Sequence, residues 1–92
     1  MRKIERDMND AIARRQDWRS GNTKVLRCYK TASSHVYLHD NFIAEVFDDG
    51  RVEPNESMFV RWTTPTTASR LRALGVNASI RNFEPYINGV KL

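Results

Sequence analysis

The chain has a single cysteine, Cys28, and so cannot form an internal disulfide. Stability must come from an apolar core, an oligomer or a partner. No run approaches the ~20 apolar residues of a membrane span. The start, MRKIERDMNDAIARRQDW, is charged throughout and lacks a signal-peptide stretch, so a cytoplasm-like compartment is expected. Only four glycines occur, each at an apparent turn or cap, and there is neither a P-loop nor a G-x-S-x-G pattern. Histidines number two, His35 and His39. On one strand face they would lie ~13 Å apart, too far to share an ion. No C-x₂-C pair exists, so no metal and no cofactor is expected. Cys28 beside a histidine could be drawn as a nucleophilic pair, but a lone strand cysteine more often packs as a small apolar residue. The expectation is a binding protein, not an enzyme.

What is present is an ordinary globular composition, 40% hydrophobic and 28% charged, which argues against disorder. Ninety-two residues make one domain, near the small end of what folds unaided. The net charge is +4, unevenly laid out. Residues 1–30 carry a net +5, residues 31–65 a net −4, and residues 66–92 a net +3. If both basic segments fold onto one side, they attract polyanions or an acidic protein face; otherwise they only aid solubility.

Periodicity predicts an α+β fold. Ile4, Met8, Ala11, Ile12 and Trp18 share one third of a helical wheel, so a helix is expected over about residues 3–18, with Gly21 at its C-terminal cap. Lys3/Asp7, Arg6/Asp10 and Asp10/Arg14 can pair along its exposed face. Strands are expected at Lys24–Lys30, His35–His39 and Phe42–Phe47, the last two joined by a turn at Asp40-Asn41. Asp48-Asp49-Gly50 leads to a short strand at Arg51–Glu53 that Pro54 stops. A helical turn at Glu56–Arg61 precedes a short second helix, Ala68–Leu74, capped by Thr66 or Thr67 and closed by Gly75. Ala78–Phe83 and Pro85–Val90 read as a C-terminal β-hairpin around Asn82–Glu84. The architecture is thus a helix, a three- to four-stranded antiparallel meander, a helix and a hairpin.

Two features could bind a partner. A helix N-terminus after Trp62-Thr63-Thr64-Pro65-Thr66-Thr67 would present free N–H groups to a phosphate or carboxylate. There Thr66 and Thr67 would add hydroxyls, Arg61, Arg70 and Arg72 charge, and Trp62 a stacking face. The competing reading is a capped helix with Trp62 in the core and its arginines in solvent. The second feature is Arg14, Arg15, Arg19, Arg27 and Lys30 interleaved with Trp18 and Tyr29, a mixture that suits single-stranded nucleic acid. No RNP motif, helix-turn-helix or zinc finger accompanies it.

The segments Asn22-Thr23, Val36-Tyr37-Leu38-His39-Asp40-Asn41-Phe42-Ile43-Ala44 and Trp62-Thr63-Thr64-Pro65-Thr66-Thr67-Ala68-Ser69-Arg70-Leu71-Arg72-Ala73-Leu74-Gly75 resemble small basic early-region proteins of short-tailed, autographivirus-type bacteriophages. That group usually has glycine at the position of Asp40. The resemblance implies a phage protein acting in the bacterial cytoplasm. The leading functional expectation is nucleic-acid binding, to DNA or RNA, through phosphate contacts by Arg61, Arg70, Arg72 and part of the N-terminal helix. The alternative is an inhibitor or adaptor that docks on a host protein such as a polymerase, nuclease or defence component. Any unpaired edge of the meander could join a second copy or a partner strand, so the oligomeric state stays open.

Overall fold

Apolar side chains at positions 4, 8, 11 and 12 build the inward stripe of α1 (Lys3–Ala13), with Met8 and Ala11 buried. The computed structural model describes residues 1–92. The helix is four to five residues shorter than its apolar pattern suggests. Arg14 ends it and Arg15 takes the left-handed conformation, φ 56°, in place of the expected Gly21. The N–H of Gln16 then bonds the carbonyl of Ala11 and that of Arg15 the carbonyl of Ile12, a Schellman closure. Trp18 therefore lies outside the helix, in β1 (Trp18–Ser20), a strand that the helical wheel conceals. Gly21, φ 55°, serves the β1–β2 turn.

A five-stranded antiparallel meander follows in spatial order β1-β2-β3-β4-β5, with β2 at Thr23–Cys28, β3 at Ser33–Leu38, β4 at Asn41–Phe47 and β5 at Val52–Pro54. Thr23 and Val25 of β2 and Ser34, Val36 and Leu38 of β3 are buried on its inner face. Leu26 lies on the opposite face and is exposed, so it does not anchor the core. The β3–β4 turn is His39-Asp40, both at positive φ, and Asn41 already pairs with Leu38. Between Val36/Ala44 and Tyr37/Phe42 the register slips by one. Ile43 is the extra residue of this bulge, which turns two successive side chains, Ile43 and Ala44, inward.

All three helices lie on the inner face: α1 against β2, α2 (Glu56–Arg61) and α3 (Pro65–Ala73) against β4. Phe59, Ala68 and Leu71 close the core there, with Met8 from α1. Asn55 caps α2, its Oδ1 accepting from the Met58 N–H. The cap of α3 is Thr64 rather than Thr66 or Thr67, two or three residues earlier than expected, and Pro65 occupies the first helical position. Gly75, φ 98°, closes α3 as its place in the sequence suggests. A separate three-stranded sheet, β6 (Ala78–Arg81), β7 (Glu84–Ile87) and β8 (Val90–Lys91), packs beside α3 and α2 and adds Ala78 and Ile87 to the core. The expected strand Pro85–Val90 is instead split by an Asn88-Gly89 turn between Ile87 and Val90, a dipeptide that favours a tight hairpin.

One charged pair crosses this core. Arg70 and Glu5 side chains are 4% and 5% exposed, and Arg70 Nη1 donates to Glu5 Oε2 at 2.8 Å. Ser69 Oγ donates to the same oxygen, while Arg70 Nε donates to Thr23 Oγ1 and Nη2 reaches Asn22 Oδ1. Burial pushes the Glu5 carboxyl up, but the Ser69 and Arg70 hydrogen bonds outweigh it and hold the pKa below its ordinary 4.5.

Glu5→Gln leaves a guanidinium that cannot deprotonate without its counter-charge, and is expected to destabilise by about 3–5 kcal/mol. Glu5→Leu with Arg70→Met should regain most of that, read from urea midpoints. Because the folded pKa of Glu5 is depressed, its stabilisation is complete above pH 4.5 and lost as pH falls through the lower folded value. The acid-induced fall in wild-type melting temperature should therefore be steeper than in the Glu5→Gln variant. Thr64→Ala, which removes the α3 cap, should cost about 1 kcal/mol by the same urea assay.

Candidate nucleic-acid interface

The helix N-terminus is not the anion site that its sequence suggests. Pro65 has no N–H to offer, and Thr64 Oγ1 accepts from the Thr67 N–H at 3.2 Å. Thr67 is buried, its hydroxyl bonded to that of Thr64 at 2.9 Å, and Thr66 is half-buried. Trp62 is half-exposed rather than in the core. Together with Leu38, His39, Asn41, Ile43 and Thr64, these three residues line a cleft of about 430 Å³.

Arg70 is removed from solvent altogether by the Glu5 pair, so it offers nothing to an external phosphate. Hydrogen-bond spacing explains this. α3 begins at Pro65 and packs α1 against its flank, which turns position 70 toward Thr23 rather than outward.

Six of the nine cations in residues 1–30 meet a carboxylate. Arg15 and Arg27 both meet Asp48, at 3.5 and 2.9 Å, while Lys24 and Arg19 meet Asp40, at 3.2 and 3.9 Å. Arg14 approaches Asp10 at 3.9 Å along α1. The side chain of Arg27 is buried, and its bidentate bond to Asp48 raises its own pKa and lowers that of the carboxyl. Asp40 is lowered likewise, first by the hydrogen bond from Lys24. Asp40 and Asp48 of the acidic middle thus each hold two cations of the basic first third. Arg14, Arg15, Arg19 and Arg27 are each within reach of a carboxylate. Trp18 is half-buried against the core, and Arg27 lies over the exposed ring of Tyr29 at 5.8 Å.

The outer face of the meander also carries aromatics, but they are already occupied. His35 and Tyr37 pack on Phe42 at 5.1 and 5.7 Å, Lys24 lies over Tyr37, and Arg51 over Phe47. Glu45, held below its ordinary pKa first by the hydrogen bond from Ser33 and then by that of His35, adds negative charge to the same face.

The cations that meet no carboxylate are Arg2, Arg6, Lys30, Arg61, Arg72 and Arg81. Arg72 lines a second groove, of about 620 Å³, between the start of α3 and the β6–β7 hairpin. Its walls are Thr63, Pro65, Ala68, Ile80, Asn82 and Phe83, with no acidic residue among them. Arg72 Nη1 donates to the Ala78 carbonyl at 3.1 Å, which fixes the guanidinium in the groove while leaving other N–H donors open. Ile80 lines the groove, and Arg81, next in the strand, leaves from the opposite face and lies over Tyr86 at 5.1 Å. Phe83 at the hairpin tip is 95% exposed. Of the residues singled out in the sequence, Trp62, Thr66 and Thr67 meet in the first cleft, and only Arg72 reaches the second. Arg61 is exposed at the end of α2, beside Trp62. The expected strand Ala78–Phe83 hides Phe83, which lies in the turn, whereas Arg81 does lie in the strand, with no local signal to single it out. An aromatic beside Asn82, a residue that tolerates positive φ, was the available signal.

No helix is long and apolar enough to cross a membrane. No curated protein and no solved structure matches the chain. The expected phage origin holds, but in cyanophages rather than in autographiviruses. A family model matches residues 1–91, almost the whole sequence, and the chain belongs to the Kyanoviridae Gp96 protein family.

Proposed function

We propose that this protein binds nucleic acid through phosphate contacts made by Arg72 and Arg81, with Arg61 as a further cation on the α2–α3 side. The observation that carries the reading is the charge left over. Ion pairs consume most of the basic first third, whereas Arg72 and Arg81 flank a hairpin whose groove has no carboxylate. A polyanion meets attraction there, and Glu84, across the strand from Arg81, is engaged by Lys91 at 3.0 Å. In a phage protein such binding would act in the cytoplasm of the infected bacterium. Arg14 and Arg15, held by Asp10 and Asp48, are secondary in this reading.

Fluorescence anisotropy with labelled random-sequence DNA and RNA at ~50 mM salt tests it, since phosphate contacts are strong there. Arg72→Gln with Arg81→Gln should weaken binding at least about tenfold and flatten the slope of log K against log salt by roughly 1–2. Arg14→Gln with Arg15→Gln should change both far less. No binding at ~50 mM salt would overturn the reading. So would a stoichiometric host protein retained after nuclease treatment with no nucleic acid bound.

A further inference from the structure

Phe83 stands where the backbone does not favour it. Arg81 pairs directly with Glu84, so Asn82 and Phe83 form a two-residue turn, with φ of 51° and 64°. Positive φ at both positions is the type I′ pattern, which selects Asn or Asp followed by glycine. The β7–β8 turn obeys that preference with Asn88-Gly89, and the β3–β4 turn places small, polar Asp40 at the equivalent second position. Only the β6–β7 turn carries a large apolar ring there, and the fold gains no burial from it, since Phe83 is 95% exposed. A side chain that opposes its own backbone conformation and contributes nothing to the core is the mark of a contact made with something else.

The surroundings define that partner. The ring adjoins the groove walled by Pro65, Ala68 and Ile80, with Arg72 inside and Arg81 on the other face of the hairpin. A flat apolar ring exposed at the hairpin tip, with Arg72 in the adjoining acid-free groove and Arg81 two residues away in the chain, matches a planar base joined to phosphates. In a duplex the base faces are already stacked on one another and cannot reach a ring on a hairpin tip. We infer that Phe83 is a stacking residue for an unpaired base, and that the ligand is single-stranded nucleic acid, its backbone running past Arg72 and Arg81. This rests on the phosphate-binding reading above and narrows it to one class of strand.

The test compares labelled oligo(dT) and oligo(U) with a duplex of equal length, using wild type, Phe83→Gly, Phe83→Leu and Phe83→Trp. Wild type should bind at least one single strand more tightly than the duplex. Phe83→Gly and Phe83→Leu should lose about tenfold toward that strand, because stacking is gone, while Phe83→Trp keeps it. Phe83→Gly should leave duplex binding unchanged. Its melting temperature should equal or exceed that of wild type, because glycine suits the positive φ. This separates lost stacking from lost folding. Equal binding of single strand and duplex, or wild-type affinity in Phe83→Gly, would overturn the inference while leaving phosphate binding intact. No binding to either strand type would overturn both.

Discussion

The buried Glu5–Arg70 pair is the contact on which the arrangement of the helices depends. It joins residues 65 positions apart and draws α1, α3 and the start of β2 to one point through Ser69, Thr23 and Asn22. An apolar contact between α1 and α3 would tolerate sliding; a guanidinium with a carboxylate, a hydroxyl and an amide around it does not. Such a pair adds little to net stability compared with a well-packed apolar replacement, yet it strongly penalises any arrangement that separates its members. It ties α3 to α1 and to the start of β2, and the groove lined by Ala68 and Arg72 opens on another side of that same helix.

Ion pairing also redistributes the molecule's basicity. Taken along the chain, the positive segments flank a negative middle. In three dimensions the first of them folds onto that middle, with Asp40 and Asp48 each serving two cations. The cations left without a carboxylate are therefore spread over the chain: Arg2, Arg6 and Lys30 in the first third, Arg61 at the end of α2, and Arg72 and Arg81 beside the hairpin. The hairpin combines Arg72, in a groove without carboxylates, with the almost fully exposed ring of Phe83; Arg61 beside the half-exposed Trp62 is a second such pairing. The outer sheet face has rings, but they stack on each other and share their space with Glu45.

The order of elements and the fold class could be read from periodicity and turn residues, because both are local properties. Gly75 at the end of α3 and the polar turns of the meander needed nothing beyond their neighbours. The structure departs from the pattern at a helix end, at a bulge and at one distant contact. Trp18 fits the apolar face of α1 by angle, but the Schellman closure at Arg15 ends the helix first and releases it into a strand. Ile43 breaks the two-residue alternation because the bulge lets both it and Ala44 reach the core. Arg70 looked like a surface cation because its partner lies at the other end of the chain. Conversely, Phe83 was legible only once the hairpin register showed that it sits in the turn and not in a strand.

The central claim is that the binding surface is the β6–β7 hairpin with the adjoining flank of α3, rather than the basic N-terminal segment. Backbone amide chemical shifts of the ¹⁵N-labelled protein, followed while oligo(dT) is added at low salt, test it most directly. The account predicts the largest shifts at Thr63, Arg72 and Arg81 through Glu84, with little change along α1. Shifts concentrated at Arg14, Arg15 and Lys30, or across the outer face at Tyr37 and Phe42, would contradict it.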